Sequence, residues 1–350
     1  MITFTAPILI SLAKSLLQAS GLTESEADIS ARSLVDANLC GHDSHGVIRL
    51  MQYIGFIREG KLKSKAKFEV LHETPAVLAV DAHWGLGQVQ TYTLLDQLLL
   101  KAKAIGIAAG TMKHCGHIGR LGEFAEWSAK RDCLLFATVN SHGCGHRVAP
   151  PGGTEGRIST NPLCIGSPAL SSPPILDMGT SSCAEGKVRV AYQKGEPIPE
   201  GWIIDHQGKS STDPAILYHE PRGTILPFGG PQAYKGFGLG LMMDILCGSL
   251  SGGHCTHPEN PMPGVGNAVL MILLDINHFA GKDQFLQETE KFLSSVRQTP
   301  KIPGVAEIIL PGDMERKTRE QRLKTGIQIP DGTWIQIKKL AEEYKVEIPR

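Results

Sequence analysis

Near Lys67 the spacing of apolar residues changes period, and that switch limits what the chain can fold into. Before it, apolar residues recur at helical spacing; after it, short alternating runs take over. The spacing predicts a helix over residues 6–20, stopped by Gly21. Thr23 followed three places on by Glu26 is a capping box that opens a second helix, to about Asn38. A third helix is expected from Ser44, carrying Val47, Ile48, Met51, Ile54 and Phe56 to Gly60. Beyond the switch, "FEVLHETPAVLAVD" predicts two strands around a turn. Then come a helix at 89–106, a strand at 107–112, a helix at 121–132 and a strand at 134–140. Strands are expected at "LCIGSP" and "PILDMG", a helix near 183–193, a strand at "NAVLMILLDI" and an amphipathic helix at "KDQFLQETEKFLSSVRQ". "GFGLGLMMDILCGSLSG" is apolar on all sides, which predicts a buried helix or helix pair. After Pro311 the chain is charged and mostly helical.

A helical domain built from both chain ends around a central sheet domain fits this pattern. The division expected is 1–66 with 278–350 for the helical part and 67–277 for the sheet. A length of 350 residues is enough for one large or two ordinary domains. Lys plus Arg equals Asp plus Glu, 35 each, so no basic surplus argues for nucleic acid. No apolar run is long enough for a membrane span, and the N-terminus lacks the marks of a signal peptide. Eight cysteines without a C-x-x-C pair suit a reduced, cytoplasmic chain.

The stretch "GHDSHGVIR" at 41–49 concentrates titratable chemistry. On a helix starting at Ser44, residues His45, Arg49 and Tyr53 lie four apart on one face, with Ser44 at the cap. Imidazole titrates nearest to neutrality and is the default proton donor or acceptor. The guanidinium offers a fork matched to a carboxylate. Together they suit a carbonyl or hydroxyl next to a carboxylate, although polar caps on an ordinary helix start the same way. Further histidines stand in "HCGHIGR", "NSHGCGHRVAPPGG" and "HCTH". None has the paired spacing of a structural zinc site, so no metal is expected, and a non-enzymatic His/Cys metal-binding protein is the alternative of another class. The G-x-G-x-x-G dinucleotide fingerprint, the Walker A loop and the G-x-S-x-G elbow are all absent.

Eight ordered motifs carry a resemblance: "GHDSHGVIRL", "HIGRLGEFAEWSA", "STNPLCIGSP", "LDMGTS", "GKVRVA", "IPEGWIIDHQGKSSTDP", "PFGGPQAYKGFGLGLMMDILCGSLSGG" and "LPGD". From about residue 5 to 330 the chain resembles the type-2 malate/L-lactate dehydrogenase family of NAD(P)-dependent oxidoreductases. The resemblance implies an α+β fold that is not Rossmann, with a mixed, largely antiparallel sheet for the dinucleotide. It also implies a homodimer with the active site near the interface, and NAD or NADP as cofactor. Malate and lactate are the leading substrates; a cyclic imine such as piperideine-2-carboxylate, or the diketogulonate, sulfolactate and ureidoglycolate types, are the alternatives.

Carried over by motif, His45 or His117 is the acid/base, and Arg49 grips the substrate carboxylate, with Ser44, Tyr53 and Thr160 beside it. Ser141, Asp177, Met178, Gly179, Lys235, Pro311, Gly312 and Asp313 match cofactor contacts. The chain departs from the family pattern at Ser159 and Gly179, where glycine and alanine are usual, and in the inserted-looking "HGCGH" at 142–146.

Overall fold

The structure is a computed structural model and describes residues 2–260 and 266–349. In chain order its elements are β1 (Ile2–Phe4), α1 (Ala6–Ala19), α2 (Glu24–Leu39), α3 (Leu50–Arg58), β2 (Glu69–Glu73), β3 (Val77–Gly85), α4 (Gly87–Ile105), β4 (Ile107–Gly116), α5 (Leu121–Ala129) and β5 (Cys133–Asn140). There follow β6 (Leu163–Gly166), β7 (Ile175–Met178), α6 (Glu185–Lys194), β8 (Ile203–Ile204), β9 (Ser210–Ser211), β10 (Thr224–Ile225), α7 (Ala233–Ser251), β11 (Gly266–Asp275), α8 (Lys282–Arg297), α9 (Asp313–Thr325), β12 (Ile327–Ile329) and α10 (Asp331–Glu343).

The chain ends share one core. Apolar residues of α1, α2 and α3 pack with Ile327 and Ile329 of β12 and Ile337 and Ala341 of α10. β1 pairs antiparallel with β12, which ties the first residues to the last elements. Helix α2 opens as its sequence predicts: the Thr23 hydroxyl accepts from Glu26 N, and the Glu26 carboxylate accepts from Thr23 N at 3.0 Å. That satisfies two of the donors a helix start leaves orphaned.

The central sheet has seven strands in the order β2-β3-β4-β11-β5-β6-β7. β3 and β4, linked by the crossover helix α4, run parallel; the other five pairings are antiparallel. β11 comes from far along the chain and inserts between β4 and β5. Its side chains alternate: Val269, Met271 and Leu273 join the core under α4 and α5, whereas Ala268 and Leu270 pack with Cys247 of α7. The sheet is therefore covered on both faces, which explains why β11 reads as an unbroken apolar run.

Two expectations need correction. No continuous helix starts at Ser44. Two short 3₁₀ turns, Asp43–His45 and Val47–Arg49, precede α3, broken by extended backbone at Gly46. The cause is Asn38, which accepts from Val47 N at 2.9 Å and donates to Asp43 Oδ1 at 2.6 Å, holding the turn against the end of α2. Nor is α7 buried all round. It is one helix whose inward stripe is Gly236, Gly240, Met243, Asp244, Cys247 and Gly248, while Tyr234, Met242, Ile245 and Leu250 stand exposed on its other sides.

A Cβ at Gly46 would overlap the Asn38 amide, which cannot withdraw without losing both bonds. Gly46→Ala is expected to destabilise the chain by about 1–3 kcal/mol through this overpacking. A urea denaturation midpoint equal to that of the parent chain would show that the turn can shift freely.

Candidate active site

A cavity of about 300 Å³ opens where the Ser44–Gln52 segment, the end of β4, the loop after β5 and the start of α6 meet. Ser44, His45, Arg49 and Gln52 reach it from the first segment and His117 from the residue after β4. Ser141 and Cys144 follow β5, Thr160 precedes β6, and Glu185 and Arg189 come from α6. Gly186 lets α6 close against this wall, because a Cβ there would lie 2.6 Å from that of Ser44.

The 3₁₀ turns carry the functional groups of the first segment. Arg49 folds back so that Nε donates to Ser44 O at 2.7 Å and a terminal nitrogen donates to Gln52 Oε1 at 2.7 Å. Those two bonds fix the guanidinium plane and, among the described residues, leave its remaining terminal nitrogen for a ligand. The His45 and His117 rings stack with centroids 5.5 Å apart and 14° between planes. The Ser44 hydroxyl lies 3.1 Å from His45 Nδ1. His117 Nδ1 is 2.8 Å from the Tyr53 hydroxyl, which also receives Gln88 Nε2 at 3.0 Å.

Burial sets the charge state of both rings. Desolvation, followed by the Arg49 charge, pulls His45 down to about 3. Desolvation, then Arg49 and His45, holds His117 well below the imidazole norm. At neutral pH both are uncharged, ready to accept a proton beside a cationic anchor. Two stacked imidazolium ions beside Arg49 would repel one another, so a proton on one ring opposes a proton on the other.

Six of the expected site residues meet on this one cavity: Ser44, His45, Arg49, His117, Ser141 and Thr160. Tyr53 is fully buried behind His117 and is not on the cavity wall. Asp177, Met178 and Gly179 lie outside the wall but continue from it. Thr180 N donates to Thr160 O at 2.9 Å, and Asp177 Oδ2 accepts from Gly122 N, at the start of α5, at 2.7 Å. Burial pushes the Asp177 carboxyl above its ordinary value. Pro311, Gly312 and Asp313 adjoin the same region: Pro311 O accepts from Ile175 N at 3.1 Å, and Asp313 sits between Arg297 and Arg316. Lys235 is exposed at the start of α7, away from the cavity wall, with its Nζ 5.9 Å from the Tyr234 ring centroid.

Sequence reasoning did not single out Gln52, Asn140, Arg147, Glu185 or Arg189 for the cavity. Gln52 was visible as the i+3 partner of Arg49, and Arg189 as the i+4 partner of Glu185. Nothing local marks Asn140 or Arg147. Of the remaining histidines, His114 pairs with Asp81 at 2.9 Å, and His142 Nδ1 lies 3.0 Å from the Gly253 carbonyl. Among the described residues no three His, Cys, Asp or Glu side chains converge as a metal set.

An uncharged histidine pair beside an anchored arginine, on a sheet with no dinucleotide fingerprint, supplies what a non-Rossmann 2-hydroxyacid dehydrogenase needs from its protein. Comparison with known proteins places the chain there: it belongs to the malate/L-lactate dehydrogenase family, which it matches over residues 4–338. It is 35% identical over 335 residues to hydroxycarboxylate dehydrogenase B of Escherichia coli K12, covering 95% of this chain and 91% of that one. Its fold superposes on malate dehydrogenase from Pyrococcus horikoshii OT3 with a TM-score of 0.90 at 30% identity, covering 99% and 96% of the two chains. It also superposes on Δ1-piperideine-2-carboxylate reductase from Pseudomonas syringae pv. tomato with a TM-score of 0.83 at 28% identity, covering 97% and 100%. The chain is thus a hydroxyacid dehydrogenase acting on CH–OH, of a family that uses a nicotinamide cofactor.

Proposed function

We propose that this enzyme interconverts a small 2-hydroxycarboxylate and its 2-oxoacid with NAD or NADP, malate/oxaloacetate first and lactate/pyruvate next. The observation that carries the reading is that His45, His117 and Arg49 share one cavity. The cavity also suits the cofactor. Ser141, Ser159 and Thr160 give it hydroxyl donors and acceptors, and Gly145 keeps the wall flat, since a Cβ there would lie 2.5 Å from Ser159. A bound nicotinamide supplies hydride exchange at the substrate C2. Ser141 is assigned to it, and Asp177–Gly179 and Pro311–Asp313 to the rest of the dinucleotide.

Arg49 holds the substrate carboxylate through its free terminal nitrogen and so places the neighbouring carbon, an effect of orientation. His45 accepts the hydroxyl proton in oxidation and returns it in reduction. Tyr53 and Gln88 fix His117, which positions the reacting oxygen. The test is a panel of 2-oxoacids and 2-hydroxyacids with NADH, NADPH, NAD and NADP, followed by the absorbance of the reduced nicotinamide. Absence of turnover with every acid would sink the reading. The likeness to the piperideine-2-carboxylate reductase supports a second reading, reduction of a cyclic imine in the same cavity. A higher kcat/KM on piperideine-2-carboxylate than on oxaloacetate would decide for it.

The division into a helical domain (1–66 with 278–350) and a sheet domain (67–277) fits the shared core of the chain ends. A cytoplasmic location fits eight free cysteines and the absence, among the described residues, of a helix able to cross a membrane. A homodimer fits the exposed apolar side of α7. The inward side of that helix holds the cavity wall: Asp244 accepts from Asn140 and Asn161, the neighbours of Ser141 and Thr160. An interface on α7 would therefore lie next to the active site. Ile245→Asp is expected to shift the mass measured by light scattering from dimer to monomer. An unchanged dimer would place the interface elsewhere.

A further inference from the structure

We propose that Arg147 selects substrates carrying a second acidic group beyond the 2-oxo carboxylate. This rests on the 2-hydroxyacid reading above. Among the described residues three arginines line the cavity, Arg49, Arg147 and Arg189, and its one carboxylate is Glu185. With both histidines uncharged, the walls carry a surplus of two positive charges. The three guanidinium groups are not alike. Arg189 is already neutralised by Glu185 at 2.8 Å. Arg49 is held by Ser44 and Gln52, which are uncharged, so it keeps its charge for one carboxylate. Arg147 has no hydrogen bond or ion pair from its guanidinium among the described residues.

The backbone of Arg147 is nevertheless firmly held. Its N–H donates to Gly145 O and Ile158 O, both at 3.0 Å, and its carbonyl accepts from Ile225 N at 2.9 Å and Thr224 Oγ1 at 2.8 Å. The next residue, Val148, is buried and bridges to both Ile158 and Ile225. A half-buried cation on a fixed backbone, without a partner, is a site prepared for an anion.

A monoacid such as pyruvate satisfies Arg49 and leaves Arg147 uncompensated once the ligand has displaced water from the cavity. That desolvated, unpaired charge works against monoacids. A diacid such as oxaloacetate, or a carboxylate–sulfonate, neutralises both cations. Arg147 thereby acts by attraction and by penalty together.

The experiment compares oxaloacetate with 2-oxobutyrate, which has the same carbon count and lacks the second carboxylate. The parent enzyme is expected to prefer oxaloacetate. Arg147→Gln is expected to lower kcat/KM for oxaloacetate roughly tenfold to a hundredfold, the range of a lost charged hydrogen bond, and to leave that for 2-oxobutyrate unchanged or raised, because the charge that works against monoacids is gone. Arg147→Lys should recover part of the oxaloacetate rate, and circular dichroism should show an unchanged fold. Equal losses on both acids, or no loss, would overturn the proposal. A raised KM for the reduced dinucleotide with both acids would also overturn it and assign Arg147 to the cofactor phosphates. If the parent enzyme reduces neither acid, it is the 2-hydroxyacid reading that fails.

Discussion

Replacing His45 by alanine is expected to lower kcat by about 10²- to 10⁴-fold, the usual contribution of a general acid/base, with dinucleotide binding intact. The geometry separates the two histidines. His117 Nδ1 faces the Tyr53 hydroxyl, itself held by Gln88, so that ring is locked in place by buried partners. His45 Nδ1 faces the Ser44 hydroxyl, a rotor that can donate or accept. His45 can therefore gain and lose a proton on its other nitrogen while Ser44 follows. His117→Ala is expected to cost less and to act through placement of the substrate oxygen. If His117→Ala abolishes turnover while His45→Ala retains it, the two roles are exchanged.

The pH profile carries the same argument. Imidazole ordinarily titrates near neutrality, but burial and the Arg49 charge hold His45 at about 3. A base with a lowered pKa stays deprotonated until the pH falls toward that value. Oxidation of a 2-hydroxyacid, followed as kcat/KM and so reporting the free enzyme, is expected to stay level through neutral pH and to fall only in acid. Binding of the substrate carboxylate beside Arg49 cancels part of the repulsion that depresses His45. The acid limb of kcat, which reports the complex, is therefore expected at higher pH than that of kcat/KM. A kcat/KM limb at the ordinary imidazole value would show that His45 is not the titrating base.

Local signals were legible and non-local ones were not. The Thr23–Glu26 capping box and the Gly21 stop are written within a few residues, and the structure keeps both. The insertion of β11 between β4 and β5 depends on contacts between strands more than a hundred residues apart, and no single-chain periodicity encodes it. The break at Gly46 depends on the Asn38 side chain, eight positions earlier, reaching across the turn. The apolar residues of α7 predicted burial on every side, but the chain covers only one stripe. In the site, "GHDSHGVIR" was conspicuous because its residue types are rare together, and it does line the cavity. Arg147 was not, because a lone arginine in a glycine-rich loop has no periodicity. Its meaning comes from Ile158 and Ile225, which clamp its backbone from distant parts of the chain.

Arg49→Lys is expected to reduce kcat/KM for 2-oxoacids roughly tenfold to a hundredfold, about 1.5–3 kcal/mol for one lost charge-assisted hydrogen bond. The substitution keeps the charge and removes the fork. In the parent chain two guanidinium nitrogens are committed to Ser44 O and Gln52 Oε1, at 2.7 Å each, and these hold the group in plane. Lysine has a single nitrogen, which cannot hold both of these partners and the substrate in the same geometry. The carboxylate would still be attracted, but the neighbouring carbon would sit less accurately against His45, so kcat should fall along with the rise in KM. The His45 titration gives an independent readout. The lysine ammonium would still repel a proton on the ring, so the acid limb should move far less than in Arg49→Gln, where that charge is gone. Parent-like kinetics of the lysine variant on every carboxylate tried would mean that Arg49 braces the turn through Ser44 and Gln52 and never touches the substrate.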